Sequence, residues 1–298
     1  MKINVIPNSK LWLALSVVFM VLSIAATFIF GLKPSIEFTG GSILEFQTES
    51  SQSVEAVRES FASNGVEAIV QDAGENHYIV RMVELSIEQK TGLMESLGQD
   101  LGTSITELSF DSIGPVLGKE LQRKSVIATL VLLLVTVLYV AWTFRQVSQP
   151  VASWKYGVIT IATALHDAII PIGVFAVVAH FTGYQVDVAF IAAILTILGY
   201  SINDTIVIFD RTRENVLRKR HISGDEFGEL VNESVNQSAM RSVNTSLSSI
   251  LALLAVFLFG GDTLRPFALT LMVGILAGAY SSIFMASPLL VYWQKKAK

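Results

Sequence analysis

Residues 188–209 read VAFIAAILTILGYSINDTIVIF, and the one charge among them is Asp204. The run meets the ~20 apolar residues that a helix needs to cross a bilayer. A carboxylate retained inside such a helix is costly, about 2.5–3.5 kcal/mol at mid-bilayer on insertion scales. The stretch therefore reads as a membrane span with a task. The rest of the chain agrees. Of 298 residues, 15% are charged and 52% hydrophobic, and the mean hydropathy is +0.56. Soluble domains average about 25% charged residues. An ordinary soluble enzyme of this size is excluded, because it could not hide that much apolar surface beneath a charged coat.

Five more runs flank the first one. Leu11–Leu32 is uncharged and too long for a cleavable signal, so it reads as an uncleaved anchor. Ser125–Phe144 is the second span. Tyr156 to about His180 is the third, interrupted by His166, Asp167 and Pro171. The quoted stretch is the fourth. Ser242–Gly261 is the fifth, with Arg241 at its threshold, and Pro266–Gln294 is the sixth. Six spans put both termini on one side. Most Lys and Arg, including Lys10, Arg211, Arg241 and Lys295, fall on that side, which predicts cytoplasmic termini. Lys33, Arg123 and Lys124 count against it.

The division expected is 1–32 for the cytoplasmic N-terminus and first span, 33–122 for an extracytoplasmic domain, and 123–298 for five spans. The last part includes a polar cytoplasmic connector at 210–238, helical from Asp210 to Arg220, and a cytoplasmic C-terminus. Residues 33–122 hold 15 Asp or Glu against 5 Lys or Arg. Their pattern alternates over 42–47, 66–71, 77–83 and 104–111, and has helical spacing over 51–64 and 86–101. The order β-α-β-β-α-β predicts a small ferredoxin-like α+β domain. Gly40-Gly41 is either a hinge or the turn before the first strand, with the turn favoured.

Cysteine is absent, the four histidines have no ligand spacing, and no Walker-type loop occurs. No enzyme, cofactor, metal site or nucleic-acid partner is predicted. The chemistry lies with the ions in the spans. Asp204 has Tyr200 one turn away, with Gly199 and Asn203 beside that face. Arg241 has Thr245 one turn on. Alone, Arg241 would read as an anchor in the lipid headgroups. Its depth matches that of Asp204 on the preceding antiparallel helix, so a buried ion pair that protonation breaks is expected. His166-Asp167 has the parts for a proton relay and equally those for a polar clamp between helices. The GxxxG at Gly274–Gly278, with Ser281 and Ser282 beyond it, reads as packing. The first two spans carry no ion and read as lipid-facing.

Gly31–Gly41 (GLKPSIEFTGG), Ala164–Asp167 (ALHD), Leu198–Asn215 (LGYSINDTIVIFDRTREN) and Leu258–Gly261 (LFGG) resemble motifs of the SecF family. These are the smaller membrane subunits of SecD–SecF complexes in bacterial protein export, within the resistance-nodulation-division (RND) superfamily. The likeness spans nearly the whole chain. It implies a bacterial inner-membrane protein that pairs with SecD and uses the proton motive force to promote preprotein translocation. Its implied partners are the SecYEG channel, the ATPase SecA, YajC, the translocating preprotein and membrane lipids. The family's proton-path residues fall on Asp204 and Arg241, and its third-span Asp on Asp167. The alternatives are a half-size RND-type exporter and a structural scaffold of the translocon.

Overall fold

The computed structural model describes residues 3–143, 151–219, 224–261 and 263–295. In chain order the elements are α1 (Ser9–Phe30), α2 (Ile36–Thr39), β1 (Gly41–Thr48), α3 (Val54–Ser63), β2 (Ala68–Gly74), β3 (His77–Met82), α4 (Ile87–Leu101), β4 (Ile105–Ile113), α5 (Pro115–Thr143), α6 (Ser153–Thr182), α7 (Val188–Arg218), α8 (Gly224–Phe259), α9 (Arg265–Ser281), a π-helical turn (Ser282–Ala286) and α10 (Ser287–Lys295). They fall into two compact units. One takes residues 33–127 and 185–188; the other takes the remainder.

The larger unit is helical. α1, α5, α6, α7, α8 and the joined α9–α10 are each long and apolar enough to span a bilayer, so the chain is a polytopic helical membrane protein. Two helices start well before their expected bounds. α5 starts at Pro115 instead of Ser125, leaving no connector after β4. α8 begins at Gly224, far upstream of Arg241, whereas α7 runs unbroken from the fourth span through the helix expected from Asp210, as far as Arg218. Hydropathy ends where lipid ends, whereas a helix's backbone bonds continue into water. The expected end of the second span at Phe144, and residues 220–223 of the connector, lie outside the described residues. The polar parts of α7 and α8 hold each other: Arg211 Nε donates to Gln237 Oε1 at 2.6 Å and Asn215 Nδ2 to Ser234 Oγ at 2.8 Å. The N-terminal segment is tied to the same helix. Asn232 Oδ1 accepts from the amides of Val5 and Ile6, and Asn236 Oδ1 from that of Ile3.

Small residues set the helix spacing, as the GxxxG reading expects. A Cβ on Gly274 would lie 2.2 Å from Ile197 Cδ1, and one on Gly278 3.4 Å from Ser201 Cβ. α9 thus meets α7 at four-residue intervals on both helices. A Cβ on Gly173 of α6 would lie 2.4 Å from Ser23 Cα. α1 is therefore more than a lipid-facing helix. It leaves Leu11, Val18, Leu22 and Phe28 exposed, but buries Ser16 and Ser23.

The smaller unit folds around a four-stranded antiparallel sheet in the order β2-β3-β1-β4, with a register shift at Glu45/Phe46. Leu44, Phe46, Tyr78 and Val80 point to one face and bury Val57, Phe61 and Leu97 of α3 and α4. The helices start where side chains cap them. Ser53 accepts from the Ala56 amide, and Ser86 forms a capping box with Gln89. Glu75 and Asn76 both have positive φ, 51° and 60°, so the β2–β3 hairpin closes in a type I′ turn. The short α2 was not expected. It ends at Gly40, whose φ of +77° suits glycine. A Cβ there would meet Pro115 Cα at 2.7 Å, and one on Gly118 would meet the Phe38 carbonyl oxygen at 2.9 Å. Gly40-Gly41 is accordingly a turn that presses the entry of this unit against its exit, and not a free hinge.

Candidate functional site

Among the described residues, two carboxylates are buried inside the helical unit. Asp167, on α6, is 0% exposed, and its neighbour His166 is 1% exposed. His166 Nδ1 lies 2.8 Å from Asp167 Oδ1. The other oxygen, Oδ2, accepts from Ser201 of α7 and Ser281 of α9, each at 2.5 Å. The His166 ring stacks on Tyr280, and Tyr280 donates to the Trp12 carbonyl of α1 at 3.0 Å. Asp167 thus joins α6, α7 and α9, and reaches α1 through His166 and Tyr280.

Asp204, on α7, is 7% exposed. Ser242 of α8 donates to its Oδ1 at 2.5 Å, and Ser282, opening the π-helical turn, donates to its Oδ2 at 2.7 Å. The expected ion pair is absent. No salt bridge within 4 Å joins Asp204 to Arg241, whose side chain is exposed on α8, although the guanidinium charge still bears on Asp204. One residue along a helix turns the side chain by about 100°. That turn carries Ser242 and Ser246 inward and leaves Arg241 and Thr245 outside. Thr245 bonds back to the Arg241 carbonyl at 2.9 Å. Tyr200 meets Ser246, at 3.4 Å, rather than Asp204. Asn203 is exposed.

The structure therefore brings together His166, Asp167 and Asp204 from the expected set, and adds Ser201, Ser242, Ser281 and Ser282. The four serines escaped a reading based on charge, because a hydroxyl in a span is cheap and usually bonds to its own helix. A usable signal was the four-residue interval of Gly274, Gly278 and Ser282 on one helix face.

The arrangement has a definite chemical capacity. A hydroxyl both donates and accepts. A carboxylate held by hydroxyls keeps its hydrogen bonds in either protonation state, because the hydroxyl can donate to the ion or accept from the acid. A guanidinium, which only donates, would hold the ionised form alone. Among the described residues no cluster of His, Asp and Glu suits a metal ion.

Residues 93–296 match the family described as protein export membrane protein SecD/SecF, C-terminal, and residues 25–52 match the SecD/SecF GG motif. The second match contains Gly40-Gly41. The protein translocase subunit SecF of Thermobaculum terrenum is 39% identical over 90% of this chain and 86% of its own length. That of Anaerolinea thermophila is 35% identical over 98% and 94%. The crystal structure of SecDF from Thermus thermophilus, described as a translocon-associated membrane protein, superposes with a TM-score of 0.84 at 35% identity. It covers 99% of this chain, which spans 39% of that longer one.

Proposed function

Because this chain belongs to the SecD/SecF family of protein export membrane proteins, we propose that its work as a Sec translocase accessory subunit is driven by protons passing through Asp204 and Asp167. The observation that carries this reading is the pair of buried carboxylates held by serine hydroxyls, which tolerate both charge states. The transmembrane potential supplies about 2.3 kcal/mol per charge per 100 mV. One or two protons suffice to bias a conformational equilibrium with a gap of a few kcal/mol.

In this reading the termini are cytoplasmic and the smaller unit is an extracytoplasmic, ferredoxin-like domain. The β-α-β-β-α-β order and the sheet order β2-β3-β1-β4 support that fold. Within the domain, Gly40 and Gly118 bind its entry to its exit. SecD is the partner, supported by the relative in which both parts form one chain. SecYEG, SecA, YajC and the preprotein complete the assembly. Arg241, exposed on α8, is a cation close enough for its charge to bear on Asp204.

Reconstituted vesicles holding this chain, its partner and the channel test the proposal. Asp204→Asn and Asp167→Asn are expected to abolish the stimulation of polypeptide release by a proton gradient. Full stimulation in both variants would overturn it. Drug flux in place of polypeptide release would indicate an exporter, and neither activity a scaffold.

A further inference from the structure

Ser281 and Ser282 are consecutive, yet they bind different carboxylates on different helices: Ser281 bonds Asp167 of α6 and Ser282 bonds Asp204 of α7. They stand at the join where α9 gives way to the π-helical turn Ser282–Ala286. Such turns are rare and concentrate at functional sites. Both serines are 0% exposed. Each hydroxyl also has a second acceptor within reach. Ser281 Oγ lies 3.3 Å from the Gly278 carbonyl, and Ser282 Oγ 3.3 Å from that of Ala279. A hydroxyl has one proton to give. Donating to an ionised carboxylate, it leaves its helix carbonyl; when the carboxylate is protonated, it returns its proton to the helix and accepts from the acid. The state of each carboxylate is thereby written into the backbone bonding of one shared turn.

We propose that Ser281 and Ser282 are positioning residues that couple the protonation of Asp167 to that of Asp204 through the last turn of α9, where it joins the π-helical turn, so that the two carboxylates respond as one unit. This rests on the proton-carrying reading above. The other groups bearing on the pair are few. His166 faces Asp167, with Tyr280 stacked beyond it. Ser201 couples α7 to Asp167 three residues before Asp204 itself. α8 brings Ser242 and, on its exposed side, Arg241. Leu11–Leu32, which contains most of α1, carries no charge. Among the described residues, the only cross-connection between the carboxylates made by adjacent residues is the serine pair.

Infrared difference spectra of the full chain with its partner in lipid vesicles, recorded across pH steps, test this. Asp167→Asn and Asp204→Asn assign the two carboxyl bands. Ser282→Ala is expected to move the titration midpoint of the Asp167 band, a group it does not touch, by about one pH unit or more. Ser281→Ala is expected to do the same to Asp204. Ser282→Thr, which keeps the hydroxyl, is expected to restore the wild-type midpoint. The proposal is overturned if each alanine moves only the carboxylate it touches. It is equally overturned if Thr270→Ala, a buried hydroxyl of α9 bonded only to its own helix, moves both bands as far. The spectra need neither gradient nor export. Independent titration would thus leave proton-driven export standing, and full gradient stimulation of export in both Asp204→Asn and Asp167→Asn would remove that reading whatever the spectra show.

Discussion

The spacing of α7 and α9 holds the serines against their carboxylates, and Gly274 sets it. Replacing Gly274 by Ala would place a methyl 2.2, 2.3 and 2.8 Å from three side-chain atoms of Ile197, which is itself fully buried. Carbon atoms pack at about 3.5–4.0 Å, so α9 must retreat or Ile197 must leave its rotamer. Overpacking of this kind costs about 1–3 kcal/mol. With three atoms involved the upper end applies, offset by about 1 kcal/mol because Ala is a better helix former than Gly. Gly274→Ala should therefore destabilise by about 2 kcal/mol. Ile197→Ala, which leaves a cavity, should cost about 2–5 kcal/mol. The double variant removes the clashing atoms and part-fills the cavity with the new methyl. It should be no less stable than Ile197→Ala alone, giving a coupling of about 2 kcal/mol or more. Unfolding of the purified full chain in mixed micelles measures all three, and proton-stimulated export should fall and recover in parallel. Losses that add to within about 0.5 kcal/mol would refute the argument, because independent sites add.

Three other contacts give outcomes of the same kind. Ser242→Ala removes one of the two hydroxyl donors to Asp204 and should cost about 1.5–3 kcal/mol; Arg241→Ala, exposed on the same helix, should stay within about 0.5 kcal/mol in micelle unfolding of the isolated chain. Tyr78→Phe leaves the amide and carbonyl of Gln52 without the buried hydroxyl that serves both, and should lower the stability of the smaller unit by about 1–3 kcal/mol, read by its hydrogen-exchange protection. Asn232→Ala frees the Val5 and Ile6 amides from α8, and limited proteolysis at the N-terminal segment should accelerate roughly tenfold or more, the equivalent of about 1.4 kcal/mol.

Much of this architecture was legible in the residue string, for physical reasons that differ from part to part. Lipid cannot hydrogen-bond a backbone, so each span must be a helix of at least a fixed length, and six such runs are visible by apolarity alone. The smaller unit was legible because alternation at 42–47 and 77–83 can bury only one sheet face, and because Ser53 and Ser86 stand where helices need caps. Asp167 and Asp204 announced themselves by the cost of an ion in hydrocarbon. The starts of α5 and α8 were not legible, since nothing in a polar sequence marks where a helix begins ahead of its membrane span.

What the string determined by itself is that this protein crosses a membrane several times and keeps two carboxylates within it, because solvation energy depends on residue type and run length. What only the tertiary structure decided is who holds those carboxylates. Arg241 and Ser242 are neighbours in sequence but about 100° apart on the helix. Which of them faces Asp204 is set by how α8 rotates against α7 and α9, and that rotation is fixed by packing over the whole bundle. The same packing turned Ser281 and Ser282 from helix-packing residues into ligands of two different acids.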